Sequence, residues 1–207
     1  MQKSIKPVHL ILVAVVLIVL IWSGISPKDR FTWILEIAPV LIGFVLILPT
    51  YHRFRLTDLL YVLIAIHCVI LCVGSRYTYA EVPAGFWVQE FFGFSRNHYD
   101  RLGHFAQGFV PAILAREILI RNKVVLSHKW LFLFVTSICL SFSAVYEFIE
   151  WGAALATGEN ATAFLGTQGD IWDTQWDMFF ALIGAVVAQL TLAKWHDRQL
   201  ALTIYPK

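Results

Sequence analysis

Four ionisable side chains stand inside apolar runs, at places where they could form a chemical site. Asp100 and His104 lie four residues apart near the start of one run, Glu147 near the end of a second and Asp177 near the start of a third. A buried carboxylate or imidazole must pair, hold a proton or bind a cation. We therefore take Asp100, His104, Glu147 and Asp177 as candidate catalytic residues.

The same residue types favour one particular cofactor, a divalent metal. Imidazole and carboxylate groups together ligate zinc and other divalent ions. His104, Glu147 and Asp177 are the candidate ligands. A metal-bound water could attack a phosphoester, an amide or an ester in the outer leaflet of a membrane. The sequence contains no HExxH, GxSxG or CxxC motif, so it indicates a polar site without naming a reaction.

Further polar residues continue the faces on which the four candidates lie. Residues three or four apart share a helix face, so Gln107 extends the face of His104, and Ser143 and Glu150 extend that of Glu147. We expect a rim and supporting layer that also includes residues near helix ends: Glu36, Arg101, Gln107, Ser143, Glu150, Asp170 and Asp173. Two neighbours, Arg96 and His98, are expected to be interfacial anchors, and His67 to be a packed side chain.

The elements that must hold these residues are membrane helices. The 207 residues are 58% hydrophobic and 14% charged, with a mean hydropathy of +0.68, whereas soluble domains carry about 25% charged residues. The prediction is an all-α polytopic membrane protein, a six-transmembrane-helix bundle forming a single integral-membrane domain over residues 1–207. The predicted spans are His9–Trp22, Thr32–Leu48, Thr57–Gly74, His98–Ile120, Lys129–Trp151 and Asp173–Ala193.

The distribution of basic residues predicts the orientation of these helices. Eleven of the 16 Lys and Arg residues fall on the side that holds both termini, and cytoplasmic loops are enriched in them. Both termini are therefore expected on the cytoplasmic side of the membrane, with the acidic and histidine site facing outward. The bilayer is the expected partner, and no basic run indicates nucleic-acid binding. The aromatic segment Ser75–Ser95 is expected at the membrane interface.

Several stretches carry a resemblance to a known family. Tyr77–Pro83, Gly93–Arg101, Gly108–Glu117 and Gly169–Met178 resemble the YjdF family of bacterial inner-membrane proteins, whose function is uncharacterised. The resemblance covers nearly the whole chain. It implies an inner-membrane location and a multi-pass topology, and it implies no activity.

A more distant similarity is to VanZ-like membrane proteins, which are linked to glycopeptide resistance. Asp100 with His104, Glu147 and Asp173 stand where those proteins have an Asp-x-x-x-His helix start, an acidic helix end and an Asp-led helix of small residues. Arg101 stands where they often have Lys, and Asp177 where they often have Asn. By analogy, the similarity implies a role in the cell envelope.

Three functional hypotheses remain open from the sequence. The site could bind or act on an envelope lipid or lipid-linked precursor, so whether the protein is an enzyme stays open. It could instead be a structural or assembly protein whose acids form an ion-paired helix cluster. A proton- or cation-coupled carrier is the third, although we expect few polar residues toward the cytoplasmic side, namely Thr136, Ser137, Ser141 and Gln189.

Overall fold

The computed structural model describes residues 4–158 and 162–204, and in those ranges every regular element is an α-helix. The helices are α1 Pro7–Gly24, α2 Arg30–Glu36, α3 Ala38–Thr50, α4 Asp58–Arg76, α5 Pro83–Phe92, α6 Tyr99–Arg121, α7 His128–Thr157, α8 Thr162–Leu165 and α9 Asp173–Ile204. The predicted all-helical fold is confirmed.

Five segments are long and apolar enough to cross a membrane. They are Pro7–Gly24, Arg30–Thr50, Asp58–Arg76, His128–Thr157 and Asp173–Leu202. The remaining long helix, α6, has 23 residues, which at about 1.5 Å per residue also reach across the hydrocarbon core. It is less apolar because it carries the charged residues Asp100, Arg101, Arg116 and Glu117. The chain is a polytopic membrane protein, and the sixth crossing remains a prediction.

The predicted second span, Thr32–Leu48, lies within the apolar segment Arg30–Thr50, which is interrupted where α2 ends and α3 begins. The break lies at Ile37, and Pro39 occupies the first turn of α3. Proline has no backbone N–H to donate to the residue four positions earlier, so a helix tends to break there. The break places Glu36 at the last position of α2, where its side chain is buried.

The centre of the bundle is α6, which packs against α4, α7 and above all α9. Two glycines permit the contact with α9. A Cβ at Gly108 would overlap the backbone of Ala181, and a Cβ at Gly184 would overlap the backbone of Phe105. Ala181, which follows Asp177 on α9, is fully buried. Small residues on both helices therefore allow α6 and α9 to approach closely, as small residues commonly do between membrane helices.

The bundle has two chemically different ends. At the end named here the acidic end, α6 and α9 begin and α7 finishes, so Asp100, Glu147 and Asp177 come together there. At the opposite end, α1 and α4 begin and α6 finishes. Between them lies a fully buried apolar layer composed of Ala112, Ile113, Val135, Cys139 and Ala185.

Candidate metal site between α6, α7 and α9

His104 lies at the centre of the candidate site. It is surrounded by one carboxylate from its own helix, α6, one from α7 and one from α9. Its Nε2 atom is 3.6 Å from Asp100 Oδ1 and 4.0 Å from Asp177 Oδ2, and its Nδ1 atom is 3.8 Å from Glu147 Oε1. One helical turn separates Asp100 from His104, which is why both face the same neighbours. The structure therefore brings together all four residues predicted as catalytic candidates.

Several polar atoms at this site are buried and have no hydrogen-bond partner. They are His104 Nδ1, Glu147 Oε1, Asp177 Oδ1 and the hydroxyl of Ser143. Each of the three ionisable side chains is 6% exposed or less. A buried polar atom without a partner costs roughly 1–3 kcal/mol, and a charged one costs more. Native proteins seldom leave such groups unsatisfied, so these atoms point to a ligand that completes the site.

The spacing of the ligand atoms suits a metal ion. One atom each from Asp100, His104 and Asp177 lies within 4.8 Å of the other two. Around a tetrahedral ion with bonds of about 2.0–2.2 Å, neighbouring ligand atoms are about 3.3–3.6 Å apart. The separations of 3.6 Å and 4.0 Å between His104 Nε2 and the oxygens of Asp100 and Asp177 would need to contract by only a few tenths of an ångström. Glu147, predicted from the sequence as a ligand, lies instead beside the other ring nitrogen, Nδ1, and Asp100 takes its place in the set of converging ligands.

A clamp built on Arg96 closes the acidic end of this site. Arg96 Nη1 donates to Asp173 Oδ1 at 2.5 Å and to Asp170 Oδ2 at 3.4 Å, and Arg96 Nη2 donates to the Gly166 carbonyl. Arg101 donates to the same Asp170 oxygen at 2.9 Å. These contacts fix the segment before α9 over the start of α6. Asp170, Asp173 and Arg101, which the sequence analysis expects at the rim, therefore lie together at the acidic end.

The expected role of Arg96 as an interfacial anchor is wrong. Its side chain is only 8% exposed, and it pairs with carboxylates from a segment more than 70 positions later in the sequence. A guanidinium can be buried in this way when its donors meet carboxylates in fixed geometry. The neighbouring Asn97 joins the clamp because its backbone exchanges two hydrogen bonds with the side chain of Gln168.

The remaining rim residues lie around the site with different degrees of burial. Glu36 is 3% exposed, and its Oε2 atom has no hydrogen-bond partner. Its carboxylate is close enough to Asp100 for the two charges to interact. Gln107 and Glu150 are half-buried. His67, expected to be simply packed, lies within electrostatic range of His104 and has a buried Nε2 atom without a partner. The polar site thus extends toward α2 and α4.

Two titratable groups border the site in the connecting segments. Burial, followed by the positive charges of Arg101 and Arg96, lowers the pKa of His98, which therefore favours its neutral form. Burial, reinforced by the nearby carboxylate of Glu36, raises the pKa of the Tyr79 hydroxyl well above its ordinary value. The Tyr79 ring packs where side chains at Gly74 and Gly103 would otherwise lie, so it closes the site on the α4 side.

Comparison with known proteins identifies the family of the chain. Residues 8–198 match the family described as "Predicted membrane protein (DUF2238)". The chain is also 53% identical over 201 residues to a protein named "Inner membrane protein YjdF" from Escherichia coli (strain K12), covering 97% of this chain and 96% of that relative. The chain belongs to the YjdF family. No solved structure shows significant similarity to it.

Membership of the YjdF family confirms the resemblance carried by the sequence motifs and supports the location that it implied. The protein is a multi-pass protein of the bacterial inner membrane, as its relative's name and its own apolar helices indicate. The family has no established activity, so the chemistry of this protein must be argued from its own residues. The similarity to VanZ-like proteins remains an analogy.

A second polar cluster, the Glu117 network, was missed by reasoning from the sequence. Glu117 is fully buried and accepts hydrogen bonds from Thr57, Arg121 and His196. Arg116 donates to Asp197 and lies 3.3 Å from Nδ1 of His196. The sequence did carry a signal, because Arg116 and Glu117 stand inside a long helix and one helical turn separates Glu117 from Arg121.

Proposed function

We propose that this protein binds a divalent transition metal through Asp100, His104 and Asp177, at a site that opens to the outer face of the inner membrane. The observation that carries the proposal is the convergence of these ligand atoms, with buried unpartnered atoms on His104, Asp177 and the adjacent Glu147. A histidine nitrogen among the ligands favours zinc or manganese over calcium or magnesium, which prefer oxygen ligands alone.

The proposed role is to bind or act on an envelope lipid or lipid-linked precursor. The site lies beside aromatic side chains that suit the lipid headgroup region, because Trp172 and Phe94 are exposed at the acidic end. A bound metal would polarise a phosphoryl or carbonyl oxygen and would activate a water molecule. Glu147 would accept the proton released by that water, and the Arg96 clamp keeps Asp173 and Asp170 beside the site.

A structural role is the second candidate, and one observation favours it for the rim. Arg96 and Arg101 already neutralise Asp170 and Asp173, so these four residues can tie helices together without any ligand. The same explanation does not cover Asp177 and Glu147, each of which has one buried oxygen without a hydrogen-bond partner.

A carrier function has less support than either. The apolar layer that includes Ala112, Ile113 and Val135 separates the metal site from the opposite end. Of the polar residues expected below the site, Gln189 donates to Thr136, so this pair ties α9 to α7 and offers no continuous path. The Glu117 network adds polar groups at the opposite end, but each of its carboxylate oxygens is already paired.

The test of the proposed function is stabilisation by metal, followed by an assay of lipid chemistry. The detergent-purified protein would be stripped with a chelator, and its melting midpoint measured with zinc, manganese, magnesium or calcium added back. An ion at 100 times its dissociation constant stabilises the folded state by about 2.7 kcal/mol, so zinc or manganese should raise the midpoint by several degrees. Equal midpoints with all four ions would contradict a built metal site.

The second part of the test is an assay of lipid binding and turnover. The protein to which metal has been added back is incubated with polar lipids and lipid-linked precursors extracted from a bacterial envelope. We expect metal-dependent retention or turnover of one lipid class, measured by chromatography of the lipids before and after incubation. Asp177→Asn should abolish it, whereas Glu90→Gln, which alters an exposed carboxylate on α5, should not. Lipid turnover that persists after chelation would refute the metal-dependent role.

A further inference from the structure

A cleft between α1, α3 and α4 lies at the end of the bundle opposite to the metal site. Helix α1 packs along most of α4, whereas α3 touches α4 at few positions. The space between them is a cavity of about 80 Å³, lined by His9, Val16, Val40, Gly43, Ile64 and Cys68 among others. From His9 to Val16 the cleft follows α1 for about 10 Å, roughly a third of the hydrocarbon core.

The wall of the cleft is open at Gly43. A Cβ added to this glycine would meet no heavy atom within 4 Å among the described residues. A glycine in the middle of a helix lowers the stability of that helix relative to alanine, and here it also leaves room beside the cleft. The interior is apolar, so the occupant that the walls suit is a hydrocarbon chain.

The mouth of the cleft is polar and positively charged. His9 bridges Tyr51 Oη at 2.7 Å and Asp58 Oδ1 at 3.0 Å, and Lys6 pairs with the same Asp58. Asp58 is therefore already compensated. The loop from Tyr51 to Thr57 adds Arg53 and Arg55 and contains no acidic residue. Arg53 is exposed, whereas Arg55 donates from Nη2 to the Ser4 carbonyl at 2.7 Å and lies with its guanidinium 4.5 Å from the centre of the Tyr51 ring.

We propose that this cleft binds one acyl chain of an anionic glycerophospholipid, with the headgroup phosphate at Arg53. The apolar interior binds the acyl chain, and the positive charge at the mouth favours an anionic headgroup. Anionic headgroups attract basic residues at the membrane surface, and the cleft extends this attraction into a defined site. The site is separate from the metal site and does not depend on the proposed function.

The test measures lipid retained by the full-length protein released from detergent in native mass spectrometry. Phosphatidylglycerol and phosphatidylcholine with identical acyl chains are the two probes. We expect one phosphatidylglycerol to be retained in preference to phosphatidylcholine. Gly43→Phe should fill the cleft and abolish this retention. Gly152→Phe is the matched control, since Gly152 on α7 also faces open space among the described residues, and it should bind as the unaltered protein does.

A variant at the mouth of the cleft tests whether the charge of the headgroup, as well as the acyl chain, determines which lipid binds. Arg53→Gln should reduce the preference for phosphatidylglycerol by about fivefold, because each basic residue near the surface contributes about 1 kcal/mol. Equal retention of the two lipids by the unaltered protein would overturn the proposal. So would unchanged retention by Gly43→Phe with a normal melting midpoint. A dimer that Gly43→Phe disrupts, with no lipid retained, would instead assign the cleft to a second copy of the chain.

Discussion

At the scale of single residues, two buried carboxylates at opposite ends of the bundle differ in how their oxygens are paired. Glu117 is fully buried, and its two oxygens accept hydrogen bonds from Thr57, Arg121 and His196. Asp177 is 3% exposed, yet its Oδ1 has no partner and its Oδ2 lies 4.0 Å from His104. A satisfied carboxylate stabilises the fold, whereas an unsatisfied one is retained at a cost to stability. Functional sites commonly retain residues that lower the stability of the fold, so the unsatisfied carboxylate of Asp177 indicates a functional role.

The contrast predicts how the two residues respond to the same chemical change. Glu117→Gln should lower the free energy of unfolding by about 2–3 kcal/mol, because it weakens charge-assisted hydrogen bonds inside the bundle. Asp177→Asn should leave the unfolding free energy of the metal-free protein unchanged or slightly higher, because it removes an unpaired buried charge. Thermal melting of chelator-treated protein measures both. A large loss of stability in Asp177→Asn would show that its carboxylate is structural.

At the scale of helices, the site depends on the close approach of α6 and α9. Gly108 lies one turn beyond His104 on α6, and Gly184 lies two turns beyond Asp177 on α9. Each glycine lets the partner backbone approach closer than a Cβ would allow. The separation between His104 and Asp177 is therefore set by backbone contact, which is stiffer than a contact between long side chains.

A methyl group at this contact should separate the two helices. Gly108→Ala is expected to cost at least about 2 kcal/mol of stability, because the new Cβ meets the rigid backbone of Ala181. Gly152→Ala, at a glycine on α7 with open space around it among the described residues, should instead gain about 0.5–1 kcal/mol from helix propensity. Melting in detergent compares the two variants. Similar midpoints would mean that the α6–α9 contact is looser than the structure indicates.

At the scale of the whole molecule, the orientation predicted from basic residues can be tested on two matched positions. Leu126, between α6 and α7, is 88% exposed, and Ile171, between α8 and α9, is 85% exposed. A cysteine at position 171 should react with an impermeant thiol reagent added outside spheroplasts, and a cysteine at 126 should react only after lysis. The native cysteines should not interfere with this assay, because Cys72 and Cys139 are buried and Cys68 is half-buried. The reverse labelling pattern would show that the chain has the opposite orientation in the membrane.

Much of the architecture could be predicted because it follows from local patterns in the sequence. Apolar runs of membrane length marked the spans, and the four-residue spacing of Asp100 and His104 placed both on one face. The helices predicted at His9–Trp22, Lys129–Trp151 and Asp173–Ala193 all lie within helices of the structure.

The rest could not be predicted because it depends on partners that are distant in sequence. Arg96 looks interfacial until Asp173, 77 positions later, is known to lie beside it. Glu117 looks like a cytoplasmic end residue until His196 and Thr57 enclose it. The break between α2 and α3 had a local signal in Pro39, but its consequence, the burial of Glu36 at the site, required the packing of α2 against its neighbours.

The central claim is a metal ion held between α6, α7 and α9, and elemental analysis of the detergent-purified protein tests it most directly. We expect about one zinc or manganese ion per chain, as for a site with one set of ligands. Asp177→Asn and His104→Gln should each lose most of that metal while eluting as folded protein, and Glu90→Gln should retain it. A metal-free unaltered protein, or equal metal in Asp177→Asn, would contradict the account.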